Sequence, residues 1–365
     1  MKYSVIFFLI LLISCSKSND KSISVQNGKE VIVTTNKSSS KIAELNIDLD
    51  LKCSFNLIDS DKFVISSPSF PKFDLDGNIY IQDQDFKKMT VYKFDSQGNY
   101  INSFGKKGTG PGEFDFMGGF VVKGDTIYVS DWGNWQIDKF TLNGDFISAK
   151  KYNDFNTQPS YPKKINNGFI NISQSSKGTP EGDTELNTGI RLFDNQFNHL
   201  KTFCEISSII KKNQDYNPFA NNLITAIGEK EIYVNITNEK DYKIEVYDFE
   251  GNKIREIKKS YAVTKMDDKK KNAMIEEGKK YGMNYFVDYE SSVSDMKIDK
   301  FNRLWVYSAA SNQGMDNDDY YDIFVNDEFI GTKRIELEKG YSFNFIEDHV
   351  VAINSEEGII RIYNY

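Results

Sequence analysis

From Leu45 to Leu57 apolar and polar side chains alternate without a break. Leu45, Ile47, Leu49, Leu51, Cys53, Phe55 and Leu57 fall on one side; Asn46, Asp48, Asp50, Lys52, Ser54 and Asn56 fall on the other. A period of two over that distance describes a strand with one buried face. Shorter alternating segments then recur as a unit. Residues 77–81, 91–98 and 100–104 read as strand, strand, turn, strand, and the pattern returns at 124–129, 137–144 and 145–147. Further copies run through 167–170 with 190–194, 231–234 with 244–251, 302–306 with 322–325, and 349–353 with 359–363. Lead-in strands precede several copies, at 70–76, 119–123, 293–299 and 341–347.

Four short antiparallel strands per repeat of roughly 40 to 50 residues is the signature of a propeller blade. Gln97-Gly98 and Asn143-Gly144 supply hairpin turns between the third and fourth strands. The sixth copy has three strands before Tyr365, which would leave an open edge. The spare segment 45–57 can fill it. The expected fold is therefore an all-β, six-bladed β-propeller in which an N-terminal strand closes the last blade.

Two spacings exceed the rest. Between the third and fourth copies the excess, 205–222, reads as loop. Between the fourth and fifth, residues 262–292 read as a helical insertion: Thr264 with Asp267 resembles a capping box, Asp267 and Asp268 suit the positive helix end, Lys279 and Lys280 the negative end, and Gly282 a stop.

The N-terminus carries a processing signal. Lys2 precedes an apolar run at 5–13, too short to span a bilayer, and Leu12-Ile13-Ser14-Cys15 follows. That stretch resembles the lipobox of bacterial lipoproteins, which implies a signal peptide at 1–14 and acylation of Cys15. Residues 16–41, rich in Ser, Lys and Asn, then read as a flexible tether, so that 15–41 links the anchor to a propeller at 42–365. A short strand at 31–34 is the one element visible there. Cys53 and Cys204 lie in different strand patterns and are expected as free thiols.

The repeats themselves resemble a known family. Asp76-Gly77-Asn78-Ile79-Tyr80-Ile81-Gln82-Asp83, followed by Val91-Tyr92-Lys93-Phe94 and Gly98, is similar to the NHL repeat, as is Ile127-Tyr128-Val129-Ser130-Asp131-Trp132-Gly133-Asn134. With the lipobox, the chain resembles the six-bladed propeller lipoproteins of Bacteroidetes, similar to NHL and TolB-like propellers. The resemblance implies a cell-envelope location at the outer membrane, and carries no assigned chemistry.

Charge and motifs narrow the function. A formal net charge of -8 gives no electrostatic footprint for nucleic acid. The glycine-rich run 105–112 contains Pro111 and leads into a strand, so it reads as a blade crossover rather than a phosphate cradle. The two histidines, His199 and His349, sit in turns and assemble neither a zinc site nor a triad. Asp83 and Asp131 end corresponding strands and suit turn amides.

Two clusters point to ligands. Asp316, Asp318 and Asp319, with Asp322, could offer calcium its oxygen ligands. Trp132, Trp135, Tyr320 and Tyr321, with Tyr281 and Tyr285 at the insertion, place aromatic rings in loops that suit sugar or peptide recognition. The leading expectation is a non-enzymatic binding or scaffold protein, held to the membrane by lipidated Cys15 and engaging an envelope protein or glycan. The alternative is a metal-dependent hydrolase, a lactonase for instance, or a glycan lyase, with Asp74, Asp299 and Glu347 meeting in a carboxylate-lined central channel.

Overall fold

The computed structural model describes residues 20–26, 29–39, 41–59, 61–153, 157–211, 214–280, 282–312 and 320–365. The expected signal peptide, Cys15, Tyr281 and the acidic residues Asp316, Asp318 and Asp319 lie outside them. The described strands form six four-stranded antiparallel blades. Blade 1 comprises Lys72–Phe73, Ile79–Asp83, Thr90–Phe94 and Tyr100–Phe104. Blade 2 comprises Met117–Lys123, Thr126–Asp131, Gln136–Thr141 and Phe146–Lys151. Blade 3 comprises Lys163–Ile165, Gly168–Gly178, Thr184–Phe193 and His199–Ile210. Blade 4 comprises Leu223–Ile227, Glu231–Ile236, Lys243–Asp248 and Lys253–Lys259. Blade 5 comprises Asp295–Ile298, Leu304–Tyr307, Tyr321–Val325 and Glu328–Lys333.

Blade 6 takes Ser342–Ile346, His349–Asn354 and Ile359–Asn364 from the C-terminus and Asp50–Asn56 from the N-terminus. Ile362 pairs with Cys53 and Ile360 with Phe55, so the N-terminal segment closes the ring as expected, but the strand covers only Asp50–Asn56 of the alternating run 45–57, and past a register shift Leu51, expected on the buried face, is 52% exposed. A packing detail shows that the visiting strand is seated like a native one. Gly98, at φ 86° in the third-to-fourth turn of blade 1, lies so close to Phe55 that a Cβ there would stand 2.6 Å from the ring. Gly144 of blade 2 meets Phe104 of blade 1 at the same distance, and Gly251 of blade 4 meets Phe203 of blade 3. Phe55 therefore holds the outer-strand position that Phe104 and Phe203 hold in their own blades.

Hydrophobic burial is organised between blades. One cluster joins blades 6 and 1 through Leu57, Phe73, Ile79, Phe94, Ile353 and Ile360; others join each later neighbour pair around the ring. No blade buries its own faces alone, which is why ring closure matters to all of them.

Three expectations need correction. The described part of the tether is a hairpin, Asp20–Gln26 with Lys29–Asn36, whose second strand runs parallel to the outer strand of blade 4, Ile32 opposite Arg255. Val31, Val33, Thr34 and Asn36 are buried there. Asn36 bonds the carbonyls of Lys258 and Asp327 and the amide of Phe329, tying the hairpin to blades 4 and 5. The chain then crosses blade 5, where Ala43 N donates to Thr332 O at 2.7 Å, before Leu45, Ile47 and Leu49 pack between blades 5 and 6. Polar composition suggested a tether because the few residues that fix this segment are a minority of it.

Secondly, Glu205–Ile210 is not loop but an extension of the outer strand of blade 3, which pairs with Thr184–Thr188. Thirdly, the insertion does contain a helix, Asp268–Lys280, but its N-cap is Asp267, whose Oδ1 accepts from the amides of Lys269 at 2.9 Å and Lys270 at 3.2 Å. Thr264 bonds the carbonyl of Ala262 instead.

Candidate functional site

Antiparallel blades sort their connections by face. First-to-second and third-to-fourth turns emerge on one face; second-to-third loops and blade-to-blade connections emerge on the other. The second face carries the insertion and the candidate tryptophans, and we refer to it as the loop face.

On the loop face an aromatic row crosses blades 1 to 3. Phe86 stacks on Phe116 with centroids 5.2 Å apart and planes at 24°, Phe116 stacks on Trp132 at 5.9 Å and 18°, and Tyr161 meets Trp132 edge-on at 6.0 Å. The second-strand aspartate of blade 2 positions it: Asp131 accepts the amides of Asp115 and Phe116, and Trp132 N donates to Phe116 O at 2.7 Å. Asp83 does the same in blade 1 for Ser66 and Ser67. Phe86 is 64% exposed and Tyr161 51%, with Trp135 in the same loop as Trp132 at 44%, so the ends of the row offer apolar surface to solvent while Phe116 rests on the core between blades 1 and 2.

The other aromatic candidates do not join this row. Tyr321 is buried among Trp305, Tyr307 and Phe343, a core position in blade 5. Tyr320 is partly buried, its main chain held by Asn312. Tyr285 is engaged with Tyr216, which joins the insertion to the connection between blades 3 and 4. A cavity of about 390 Å³ lies between the insertion and blade 5, lined by Phe219, Thr264, Lys270, Glu290 and Tyr307 among others.

Of the acidic cluster, Asp322 is fully buried and spoken for: it pairs with Lys259 Nζ at 2.8 Å and accepts the Tyr242 hydroxyl at 2.8 Å. Among the described residues no three His, Cys, Asp or Glu side chains gather as metal ligands. Cys53 and Cys204 are free, and burial pushes the Cys204 thiol up to about 11.

The first strands of all six blades surround an axial cavity of about 290 Å³ near the mouth opposite the loop face. Its carboxylate character does not materialise. Asp74 turns back into its own hairpin, accepting the amides of Asp76 and Asn78 and the Tyr80 hydroxyl. Asp299 likewise takes the amides of Phe301 and Arg303 and the Trp305 indole. Only Glu347 of the three lines the cavity, where it pairs with Lys164 at 2.5 Å. The lining is basic instead, with Lys72, Lys163, Lys164 and Lys297. Lys297 is engaged by Asp295 and sits over the Tyr321 ring at 5.0 Å. Lys163 Nζ reaches Thr225 Oγ1 at 3.2 Å. Enclosure by protein, then the nearby charges of Lys163 and Lys164, lower the Lys72 ammonium to about 8 against the opposing pull of Glu347.

The sequence matches the family profile DUF5128, described as a 6-bladed beta-propeller, over residues 23–292. The chain belongs to that family. This DUF5128 propeller is also similar to solved propellers at low identity. A Bacteroides fragilis protein named as a candidate exported protein is 13% identical, with 91% of this chain and 98% of that chain covered at a TM-score of 0.48. A DUF4221 member from Bacteroides vulgatus is 12% identical, covering 87% and 97% at 0.49. Virginiamycin B lyase from Staphylococcus aureus is 9% identical, covering 87% and 100% at 0.40. No curated protein matches. No helix among the described residues is long and apolar enough to cross a membrane.

The lead-in strands of this DUF5128 chain, whose acids suggest a carboxylate-lined channel, also carry lysines. Lys72, Lys163 and Lys297 each stand two or three residues before a first-to-second turn. That recurrence was the available signal.

Proposed function

We propose that this protein is a lipid-anchored envelope binding or scaffold protein, acylated at Cys15, that engages a protein or glycan partner through the loop face. The observation that carries this reading is the aromatic row Phe86, Phe116, Trp132 and Tyr161, flanked by exposed Trp135. Large rings presented by a rigid scaffold give contact area at small entropic cost. Loops on a propeller face vary without disturbing the blades, which suits recognition. The helical insertion stands on the same face and extends the surface available to a partner.

The test is capture from envelope extracts. The chain with Phe86, Trp135 and Tyr161 all changed to Ala should lose its partner, and deletion of residues 262–292 should weaken or alter capture. An unchanged partner set with the triple variant sinks the reading. Membrane association is tested separately: Cys15→Ser should move the protein from the membrane to the soluble fraction, and retention in the membrane would remove the lipid anchor from the proposal.

A further inference from the structure

We propose that the axial cavity is a binding site for a small, multiply charged oxyanion, a phosphate- or carboxylate-bearing molecule gripped by Lys72, Lys163 and Lys164. The site lies at the mouth opposite the loop face and does not depend on the aromatic row.

The fold's treatment of its other lysines makes the case. Where ammonium groups are confined elsewhere, the protein satisfies them internally. Lys93 donates to Leu142 O at 2.9 Å, Lys123 to Ile165 O, Gly168 O and Asn195 Oδ1, and Lys259 to Asp322. This is the normal state of buried polar groups. Lys72 differs: it is half-buried with its Nζ accessible to solvent, and among the described residues that Nζ has neither a hydrogen-bond acceptor nor a carboxylate in ion-pair range. Lys163 has only the neutral oxygens of Thr225.

Charge within the cavity points the same way. Four lysines line it and Glu347 is the one carboxylate in the lining. Asp295 neutralises Lys297 and Glu347 neutralises Lys164, which leaves Lys72 and Lys163 uncompensated. A protein of net charge -8 thus lines its axial cavity with two cations that no carboxylate pairs. Holding like charges together in a confined site is unfavourable, and the lowered ammonium of Lys72 reflects it. A bound anion would reverse both effects, and charge-assisted hydrogen bonds would add to the gain.

Size sets the class. A cavity of about 290 Å³ accepts a small molecule rather than a polymer strand. Thr225 and Asn344 add neutral polar groups to the wall. Glu347 stands as an internal competitor, its carboxylate occupying Lys164 until a ligand with higher charge displaces it.

The experiment is calorimetric titration of the purified chain with inorganic phosphate and, separately, citrate, the two arms distinguishing phosphate from polycarboxylate preference. Saturable one-to-one binding of at least one is expected. Lys72→Met and Lys163→Met should each weaken it roughly ten- to a hundredfold, the loss of one charge-assisted contact. Lys72→Arg should retain most of the affinity, and Glu347→Gln should strengthen it by freeing Lys164, an effect that a merely structural lysine cluster would not produce. Protection of Lys72 from an amine-reactive label by the same anions, read by peptide mass spectrometry, tests the site without any substitution. Absence of saturable binding for both probes at millimolar concentration, or binding that Lys72→Met and Lys163→Met leave unchanged, overturns the proposal. Partner capture through the loop face should survive Lys72→Met, so failure of one reading is separable from failure of the other.

Discussion

Asp138 offers a direct test of how this propeller responds to pH. It lies in the third strand of blade 2, opposite Val129 and Ala149, with none of its surface exposed. Its Oδ1 accepts from Gln136 Nε2 at 2.9 Å, while Oδ2 has no hydrogen-bond partner among the described atoms. Burial, reinforced by the charge of Asp131 and opposed by the Gln136 bond, pushes the carboxyl from 3.8 up to about 7. The folded state therefore binds a proton that the unfolded chain has already released between those two values. Stability from this group is intact below the unfolded value and is lost as pH rises through the folded one. About three pH units at ~1.36 kcal/mol each give a loss of roughly 4 kcal/mol.

Asp138→Asn keeps an acceptor for Gln136 and abolishes the titration. Urea unfolding followed by far-ultraviolet circular dichroism, run for both proteins from acid to mildly alkaline pH, isolates the effect in the difference between the two curves, because carboxylates that do not interact with Asp138 cancel and Asp131 enters only as its coupled neighbour. The difference should be small near pH 4 and grow in favour of the variant to a few kcal/mol by about pH 8. A difference that stays constant across the range, or a wild-type protein that remains the more stable at alkaline pH, would refute the reasoning.

Three further outcomes are expected. Lys259→Met should destabilise by about 3 to 5 kcal/mol because it strands the Asp322 carboxylate in the core, and adding Asp322→Leu should recover much of that loss in urea unfolding. Gly98→Val should cost about 2 to 6 kcal/mol, from a β-branched residue forced to φ 86° together with overpacking against Phe55, and a double-mutant cycle with Phe55→Leu should show coupling in the second part, whereas strict additivity would remove Phe55 from that turn. Asn36→Ala should speed amide hydrogen exchange across Lys29–Asn36 while leaving blade 1 unchanged; equal protection in both proteins would mean that the three Asn36 hydrogen bonds do not hold the hairpin.

The elements readable from sequence were those whose signal is local. Alternation at 45–57 marked the closing strand, and turns such as Asp95-Ser96-Gln97-Gly98-Asn99 marked the hairpins, because Asp95 caps its own turn by accepting the amides of Gln97 and Asn99. The hairpin at Asp20–Asn36 had a local signal in Asn27-Gly28 that the polar composition around it obscured, whereas its docking was not legible because the partner strand, Lys253–Lys259, lies over two hundred residues away and parallel pairing involves no connecting turn. Tyr321 was read as a loop ring because it follows an acidic run, whereas pairing with Tyr307 draws it into the core. Trp132 and Trp135 were found, yet Phe86, Phe116 and Tyr161 belong to separate connections that only the ring brings together. The lysine cluster was hidden for the same reason: Lys72 and Lys163 come from blades 1 and 3, and Glu347 from blade 6.

That geometry ties the proposed anion site to the closure of the ring. The cavity wall needs one strand from every blade, and blade 6 is complete only when Asp50–Asn56 pairs with Ile359–Asn364. An unclosed chain has no enclosed lysine cluster and little affinity for an anion. A ligand that binds only the closed form stabilises it by mass action, about 2.7 kcal/mol at a concentration one hundred times its dissociation constant. The same linkage runs in reverse. Weakening the seat of Phe55 against Gly98 should lower the affinity for phosphate or citrate only to the extent that it populates open rings, so at temperatures far below unfolding the Gly98→Val protein should bind as the wild type does, and should diverge from it as the transition is approached. Loss of anion binding in a fully folded Gly98→Val protein would instead mean that the closing strand shapes the cavity itself, through the packing of Leu57 and Phe73 that lies between them.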